Sequence, residues 1–288
     1  YTREAGGAPA NVAATIAKLG GNCLLISKVG NDPFGEFLIE TLASVGVNTT
    51  KIIMTNDAKT ALAFVSLTKE GDRDFSFYRN PSADMLLKPS EIDPDWFEPR
   101  DIFHFGSVDL IDAPIKFAHL QALRYAVEKQ CLISFDPNLR FSLWPDKGKY
   151  FRTLQEFLPF VHLLKLGDDE WEFVTGKSQF DDALDFLFGM NVKIVLLTKG
   201  KNGAVIYSKD RVIMHDGYKV PVIDTTGAGD AFLGAILFQV LAKNLTIDSL
   251  DHLLNLEVLR FANKVSSLVV QKPGAIASLP SLGDVHIE

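Results

Sequence analysis

Three apolar runs constrain this chain's fold more than any other feature. They are "CLISFD" at 131–136, "VHLLKLG" at 161–167 and "VKIVLLTKG" at 192–200. Each follows a helix-length stretch: "APIKFAHLQALRYAVEK" (113–129), "KYFRTLQEFLPF" (149–160) and "QFDDALDFLFGM" (179–190). A half-exposed strand alternates polar and apolar residues, whereas an unbroken apolar run is covered on both faces. Such strands alternating with helices predict an α/β fold, a mostly parallel sheet with helices on both sides in three layers. "DIFHFGS" (101–107) reads as one more strand. Ligands of such sheets bind beyond the carboxyl ends of the strands.

The flanking segments fill in the outline. "PANVAATIAKLGG" (9–21) reads as a helix with Pro9 in its first turn, Val12, Ile16 and Leu19 on one face, and a double-glycine stop. "CLLISKVG" (23–30) reads as a buried strand and "DPFGEFLIETLASVG" (32–46) as a helix. From about 48 to 80 the texture changes. "TKIIMT", "TALAFVSLT" and "RDFSFYR" alternate, and "KEGDR" reads as a hairpin turn, so a small antiparallel sheet is expected there. The predicted division is a main body of 1–47 and 81–288 and a small β unit of 48–80. "GAVIYS" and "RVIMHDG" predict a further hairpin, and two helices are expected near Ala228–Lys243 and Ser249–Val270.

Composition excludes several classes. Hydrophobic residues make up 47% and charged residues 23%, which is globular rather than disordered. A net charge of −7 argues against nucleic acid or anionic membrane as a general partner, so any phosphate must be bound locally. The longest apolar stretch, "AFLGAILFQVLA", has the length of a core helix rather than of a bilayer span. Cys23 and Cys131 fit no metal-ligand spacing and read as thiols in a reducing cytoplasm.

The chemistry concentrates in "DTTGAGDAF", Asp224 to Phe232. A glycine-rich turn feeding a helix offers backbone N–H groups backed by the positive end of the helix dipole, which is an anion site. Gly227, Ala228 and Gly229 carry no bulky side chain. Asp230, beside that site, can serve as general base for a hydroxyl attacking a bound phosphoryl group, or as a simple first-turn acid. The stretch matches neither the Walker A nor the Rossmann pattern.

"DTTGAGDAF" resembles the C-terminal signature of the PfkB, or ribokinase-like, carbohydrate kinases, and "GGAPANVA" (6–13) resembles their N-terminal one. "FYRNPSADMLL" (77–87), "FHFGS" (103–107) and "FDPNLRFSLW" (135–144) are similar to the fructokinase branch. The resemblance implies Asp230 as catalytic base, with Gly227, Ala228 and Gly229 as anion hole. It implies sugar contacts from Gly6, Gly7 and Asn11, with Arg79, Asp136, Asn138 and Arg140 as further substrate candidates. Along ATP it places Lys165, Thr198, Lys199, Gly200 and Gly203, with Asn263 near the adenine. "KLGDDEW" (165–171) aligns with an element whose glutamate, here Glu170, organises Mg²⁺ through water; Gly167 departs from the asparagine found in many members. Asp224, Thr226, Gly274 and Ser278 would form a monovalent-cation site for K⁺. The family also has a strand bearing a sugar-gripping aspartate ahead of the position of Tyr1.

The resulting expectation is an ATP- and Mg²⁺-dependent hexose kinase, foremost a fructokinase. In this reading 48–80 act as a lid that also pairs two copies in a cytoplasmic homodimer. The alternatives are a 2-keto-3-deoxygluconate or other sugar kinase, a nucleoside kinase, and a catalytically silent binding protein.

Overall fold

The structure, a computed structural model, describes residues 2–67 and 73–287, with the side chains of 65–67 and 73–75 left aside. At its centre is a six-stranded sheet. Four parallel strands, β5 (Ile102–Gly106), β6 (Leu132–Asp136), β7 (Leu163–Gly167) and β8 (Ile194–Thr198), are extended by the antiparallel β9 (Ala204–Tyr207) and β10 (Val212–His215). The expected parallel sheet and the expected terminal hairpin are both present.

The unbroken apolar runs divide their residues between two cores by the two-residue period of a strand. Leu163, Ile194, Leu196, Ala204 and Ile206 face α1 (Ala8–Lys18), α7 (Ala228–Ala242) and α8 (Leu256–Val269). Ile133, Phe135, Leu164, Leu166, Val195 and Leu197 face the other way. There they pack on α4 (Lys147–Phe157), α5 (Trp171–Thr175) and α6 (Phe180–Phe188). A third cluster joins α3 (Pro114–Glu128) to the turns around Leu87, Ile92 and Phe97.

The strand expectations outside this sheet are partly corrected. "CLLISKVG" yields only β1 (Ser27–Gly30), with a lone bridge from Leu24 to Asn48. It precedes α2 (Pro33–Ser44) and pairs in parallel with β2 (Ile52–Thr55). β3 (Leu62–Leu67) and β4 (Arg73–Tyr78) form a separate antiparallel pair. The region 48–80 is therefore not one antiparallel sheet, because "KIIMT" takes its partner from the preceding βα unit. The turn expected at "KEGDR" lies outside the described residues except for Arg73 at the start of β4. The long final helix is also shorter than expected. Ile247–Leu253 winds as a 3₁₀ helix, and Asn255, whose side chain accepts from Glu257 N–H, caps the start of α8.

Helix α7 carries the glycine-rich turn at its start and is buried over most of its length. It can lie close to α1 because Gly234 has no side chain. A Cβ there would sit 2.6 Å from Thr15 Cβ and 3.0 Å from the Val12 carbonyl. Close approach of α1 and α7 is what places Asn11 next to Asp230.

Gly234→Ala should therefore run against helix propensity. In an open helix the change favours folding by about 1 kcal/mol. Here overpacking should destabilise by roughly 1–3 kcal/mol, read as a lower denaturation midpoint in urea. A variant as stable as the parent would contradict this packing.

Candidate active site

Two neighbouring strands, β6 and β7, and the starts of α1 and α7 converge on one buried polar cluster. Ser134 lies opposite Leu163 and Phe135 opposite Leu164, so Asp136 and Lys165 come next in register at the carboxyl ends of β6 and β7. Lys165 Nζ donates to Asp136 Oδ2 at 2.7 Å, and both side chains are less than 10% exposed. Burial opposes the Lys165 charge, but Asp136, Glu170 and Asp230 raise its pKa, so the ammonium persists. Asp136 Oδ1 is buried and has no hydrogen-bond partner.

Asp230 sits in the first turn of α7, buried. Asn11 Nδ2 donates to its Oδ2 at 2.8 Å, and Asn138 Nδ2 lies 3.3 Å from its Oδ1. Burial pushes the Asp230 carboxyl up to about 6; the Asn11 bond opposes this, Asp136 adds to it, and Lys165 and Arg140 oppose it. With its amide nitrogen committed to Asp230, Asn11 presents Oδ1 as a buried acceptor without a partner.

The turn before Asp230 has the predicted form. Gly227 caps α7 in the left-handed region, φ 77°, and a Cβ there would come within 2.9 Å of Ala275 Cβ. The Ala228 N–H makes a long 3.3 Å bond to the Thr225 carbonyl. A Cβ on Gly229 would lie 3.5 Å from Lys165 Nζ, so the buried ammonium stands directly against the turn. An anion bound at this turn would meet backbone N–H groups, the start of α7 and the Lys165 charge together.

The other predicted residues fall into groups. Gly6 and Gly7 are exposed ahead of α1, and the Gly7 carbonyl accepts from Asn11 N–H at 2.8 Å. Arg140 Nη1 donates to the carbonyls of Asn138 and Leu139. Arg79, at the end of β4, is paired with Asp84 and Asp109 and reaches the Val108 carbonyl. It thus joins the small β unit to the loop after β5, and neither carboxylate partner was anticipated from sequence.

On the nucleotide side, Thr198 ends β8 and its hydroxyl donates to the Leu166 carbonyl at 3.3 Å. Lys199 N–H donates to the Gly203 carbonyl at 2.8 Å, closing a turn through Gly200. Asn263 Nδ2 donates to His215 Nδ1 at 3.1 Å, which also accepts from Gly217 N–H. This network joins α8 to the end of β10.

Metal chemistry fits without a dedicated cage. Among the described residues no group of three His, Cys, Asp or Glu side chains could hold an ion. Glu170 Oε1 accepts from Leu139 N–H at 2.6 Å and Oε2 from Gly167 N–H at 2.7 Å. Burial and the nearby Asp136 raise its pKa above the ordinary carboxylate value. Its outer lone pairs suit water on a magnesium ion that arrives with nucleotide phosphates. Asp224 accepts from Thr226 N–H at 2.7 Å and Gly274 N–H at 3.0 Å, binding the two segments together, while Ser278 is buried nearby in sequence. Oxygen donors of this kind suit a hard monovalent cation.

Ser107 and Tyr150 were missed by the sequence reading. Their hydroxyls bond each other, and Ser107 Oγ also donates to the Pro137 carbonyl. No local pattern announces a pair 43 residues apart.

A glycine turn with a buried carboxylate beside it, at the strand ends of a doubly covered sheet, is the arrangement expected of a phosphotransferase. The model of the pfkB family carbohydrate kinases matches residues 1–282, and the chain belongs to that family. It is 44% identical over 288 residues to the probable fructokinase-6, chloroplastic, of Arabidopsis thaliana, covering 99% of this chain and 74% of that protein. The crystal structure of a Xylella fastidiosa fructokinase with bound ATP matches with a TM-score of 0.90 at 32% identity, covering 99% of this chain and 90% of that one. A Vibrio cholerae O395 fructokinase double mutant in fructose-, ADP- and potassium-bound form matches with a TM-score of 0.90 at 30% identity, covering 100% and 92%.

The raised Asp230 pKa sets a pH dependence. As the base that the sequence resemblance implies, Asp230 must be ionised, and an elevated carboxyl is ionised only above its pKa. The kcat/KM for phosphoryl transfer should therefore hold on the alkaline side of about 6 and fall roughly tenfold per pH unit on the acid side. A flat rate down to pH 4.5 would contradict the assignment.

Proposed function

We propose that this chain is an ATP-dependent fructokinase that phosphorylates the primary hydroxyl of D-fructose to give fructose 6-phosphate. The observation that carries the reading is the buried Asp230, clamped by Asn11 and facing the same space as the Gly227–Gly229 turn and Lys165. The likeness to fructokinases on both the sequence and the structure side supports the choice of sugar.

In this reading the terminal phosphoryl group of ATP lies at the Gly227–Gly229 turn, where N–H groups and Lys165 Nζ offset its charge. Asp230 takes the proton from the sugar hydroxyl as that oxygen attacks phosphorus. Asn11 Oδ1 and Asp136 Oδ1, two buried acceptors lacking donors, suit the hydroxyls of a polyol. Positioning and charge stabilisation supply most of the catalysis, because the transition state is loose. Mg²⁺ held on ATP, with Glu170 reaching it through water, would offset charge on the phosphate oxygens. K⁺ beside Asp224, Thr226, Gly274 and Ser278 would add positive potential behind the turn.

The hairpin of β3 and β4 serves in this reading as a lid over the sugar, tethered by Arg79. Its exposed Phe64 and Tyr78, whose rings meet edge to face, support a homodimer formed through the same element. Among the described residues no single helix is long and apolar enough to cross a membrane. Two free thiols, Cys23 and Cys131, suit the reducing cytoplasm.

A panel of sugars with ATP and Mg²⁺, read by ADP formation, tests the substrate. Fructose should give the highest kcat/KM, and a higher value with 2-keto-3-deoxygluconate or a nucleoside would replace it. Asp230→Asn should lower fructose phosphorylation by roughly 10² or more while ATP affinity stays within a few-fold. Near-normal turnover in that variant would remove the base.

A further inference from the structure

Asn138 lies two residues beyond the end of β6 and has its backbone in the left-handed region, φ 44°. Asparagine adopts that region more readily than most residues with a side chain. The turn around it is held from several directions. Ser107 N–H and Oγ both donate to the Pro137 carbonyl, and Leu139 N–H donates to Glu170 Oε1 at 2.6 Å. Arg140 Nη1 folds back onto the carbonyls of Asn138 and Leu139. A backbone fixed this firmly delivers one side-chain amide to one place, Asp230 Oδ1.

We propose that Asn138 is a positioning residue for phosphoryl transfer, aiming Oδ1 of Asp230 at the attacking hydroxyl. The inference rests on the kinase reading with Asp230 as base and adds which oxygen acts and what orients it. Asn11 holds Oδ2 at 2.8 Å, whereas Asn138 stands 3.3 Å from Oδ1, beyond the usual N–H···O range. The less tightly held oxygen keeps the more available lone pair, so Oδ1 receives the proton. The hydroxyl O–H bond breaks and its proton passes to Oδ1. The freed electron pair forms the new bond to the γ-phosphorus as the bond from phosphorus to the ADP oxygen breaks. The charged groups acting on Asp230 are Asp136 from the end of β6, Lys165 from β7 and Arg140 from the turn itself, while Asn11 of α1 supplies a neutral donor.

Asn138→Gly tests this directly, because glycine keeps the left-handed backbone at no steric cost and removes only the amide. Losing the amide that aims Oδ1 should lower kcat for fructose roughly 10–100-fold through misplacement of the base, with KM for fructose and for ATP unchanged. The acid limb of the pH profile should move upward, since the carboxylate has lost a donor to its charged form. Asn138→Asp keeps size and turn but sets a carboxylate against Asp230, and should be slower than the glycine variant. An elevated fructose KM with intact kcat would mean direct sugar contact. A lower melting temperature with intact kcat would mean a structural role only. Either result overturns the proposal, as does an aspartate variant as fast as the parent. Activity retained in Asp230→Asn would instead overturn the base assignment itself, whereas an inactive Asp230→Asn with a fully active Asn138→Gly would overturn this inference alone.

Discussion

Buried charge at the strand ends is the constraint from which the site follows. Asp136, Glu170 and Asp230 are carboxylates gathered around one ammonium, Lys165. Charges removed from water must be paired and hydrogen-bonded or they shift towards their neutral forms. Each is met differently. Asp136 has Lys165 within 2.7 Å, and Glu170 accepts two backbone N–H groups. Asp230 has neutral amides as its hydrogen-bond partners and sits in the first turn of α7, where the dipole favours negative charge. It is the carboxyl pushed up to about 6, while the ammonium stays committed to Asp136. A base near the operating pH accepts a proton more readily than an ion-paired carboxylate would.

Packing enforces this arrangement from a distance. Asn11 reaches Asp230 because α1 lies against α7 at Gly234, and Asn138 reaches it because the Ser107–Tyr150 pair and Glu170 fix the turn after β6. Trp144 stacks on Tyr150 with ring centroids 4.2 Å apart, so the aromatic core beneath the sheet continues into the hydroxyl network that holds the turn. Substitutions in that core can reach the site through backbone position without touching a substrate-facing group.

Much of this was legible in the sequence because it is local. The runs 131–136, 161–167 and 192–200 became β6, β7 and β8, since an unbroken apolar strand has few alternatives to burial on both faces. The turn at Gly227–Gly229 and Asp230 at the start of α7 were visible in consecutive residues. What escaped was pairing over distance. Periodicity marks "CLLISKVG" and "KIIMT" as strands but not as each other's parallel partners. The boundary of α8 was missed for a local reason, because "TIDS" can cap a short 3₁₀ turn before Asn255 starts the helix proper. Lys165 and Asp136 were each singled out, yet their ion pair spans 29 residues and no spacing rule announces it.

Arg79 shows how such a missing pairing alters a functional reading. As an isolated loop arginine it is a cation ready for phosphate or sugar. Buried between Asp84 and Asp109, its charge is already balanced, and burial opposes that charge while both carboxylates hold it in place. Asp109 is itself pushed up by burial and by the neighbouring Asp84, while the Arg79 guanidinium opposes this, so taking the arginine away would leave two buried carboxylates without their cation. A joint of this kind holds the end of β4 against the loop after β5 and leaves the arginine little independent freedom. Asp109 and the Val108 carbonyl belong to the loop after β5, so the pairing ties the small β unit to the main sheet, and Arg79 is not a free positive charge there. The positive charge beside the glycine turn rests instead on Lys165, which is built into β7 and stands against Gly229 while paired with Asp136.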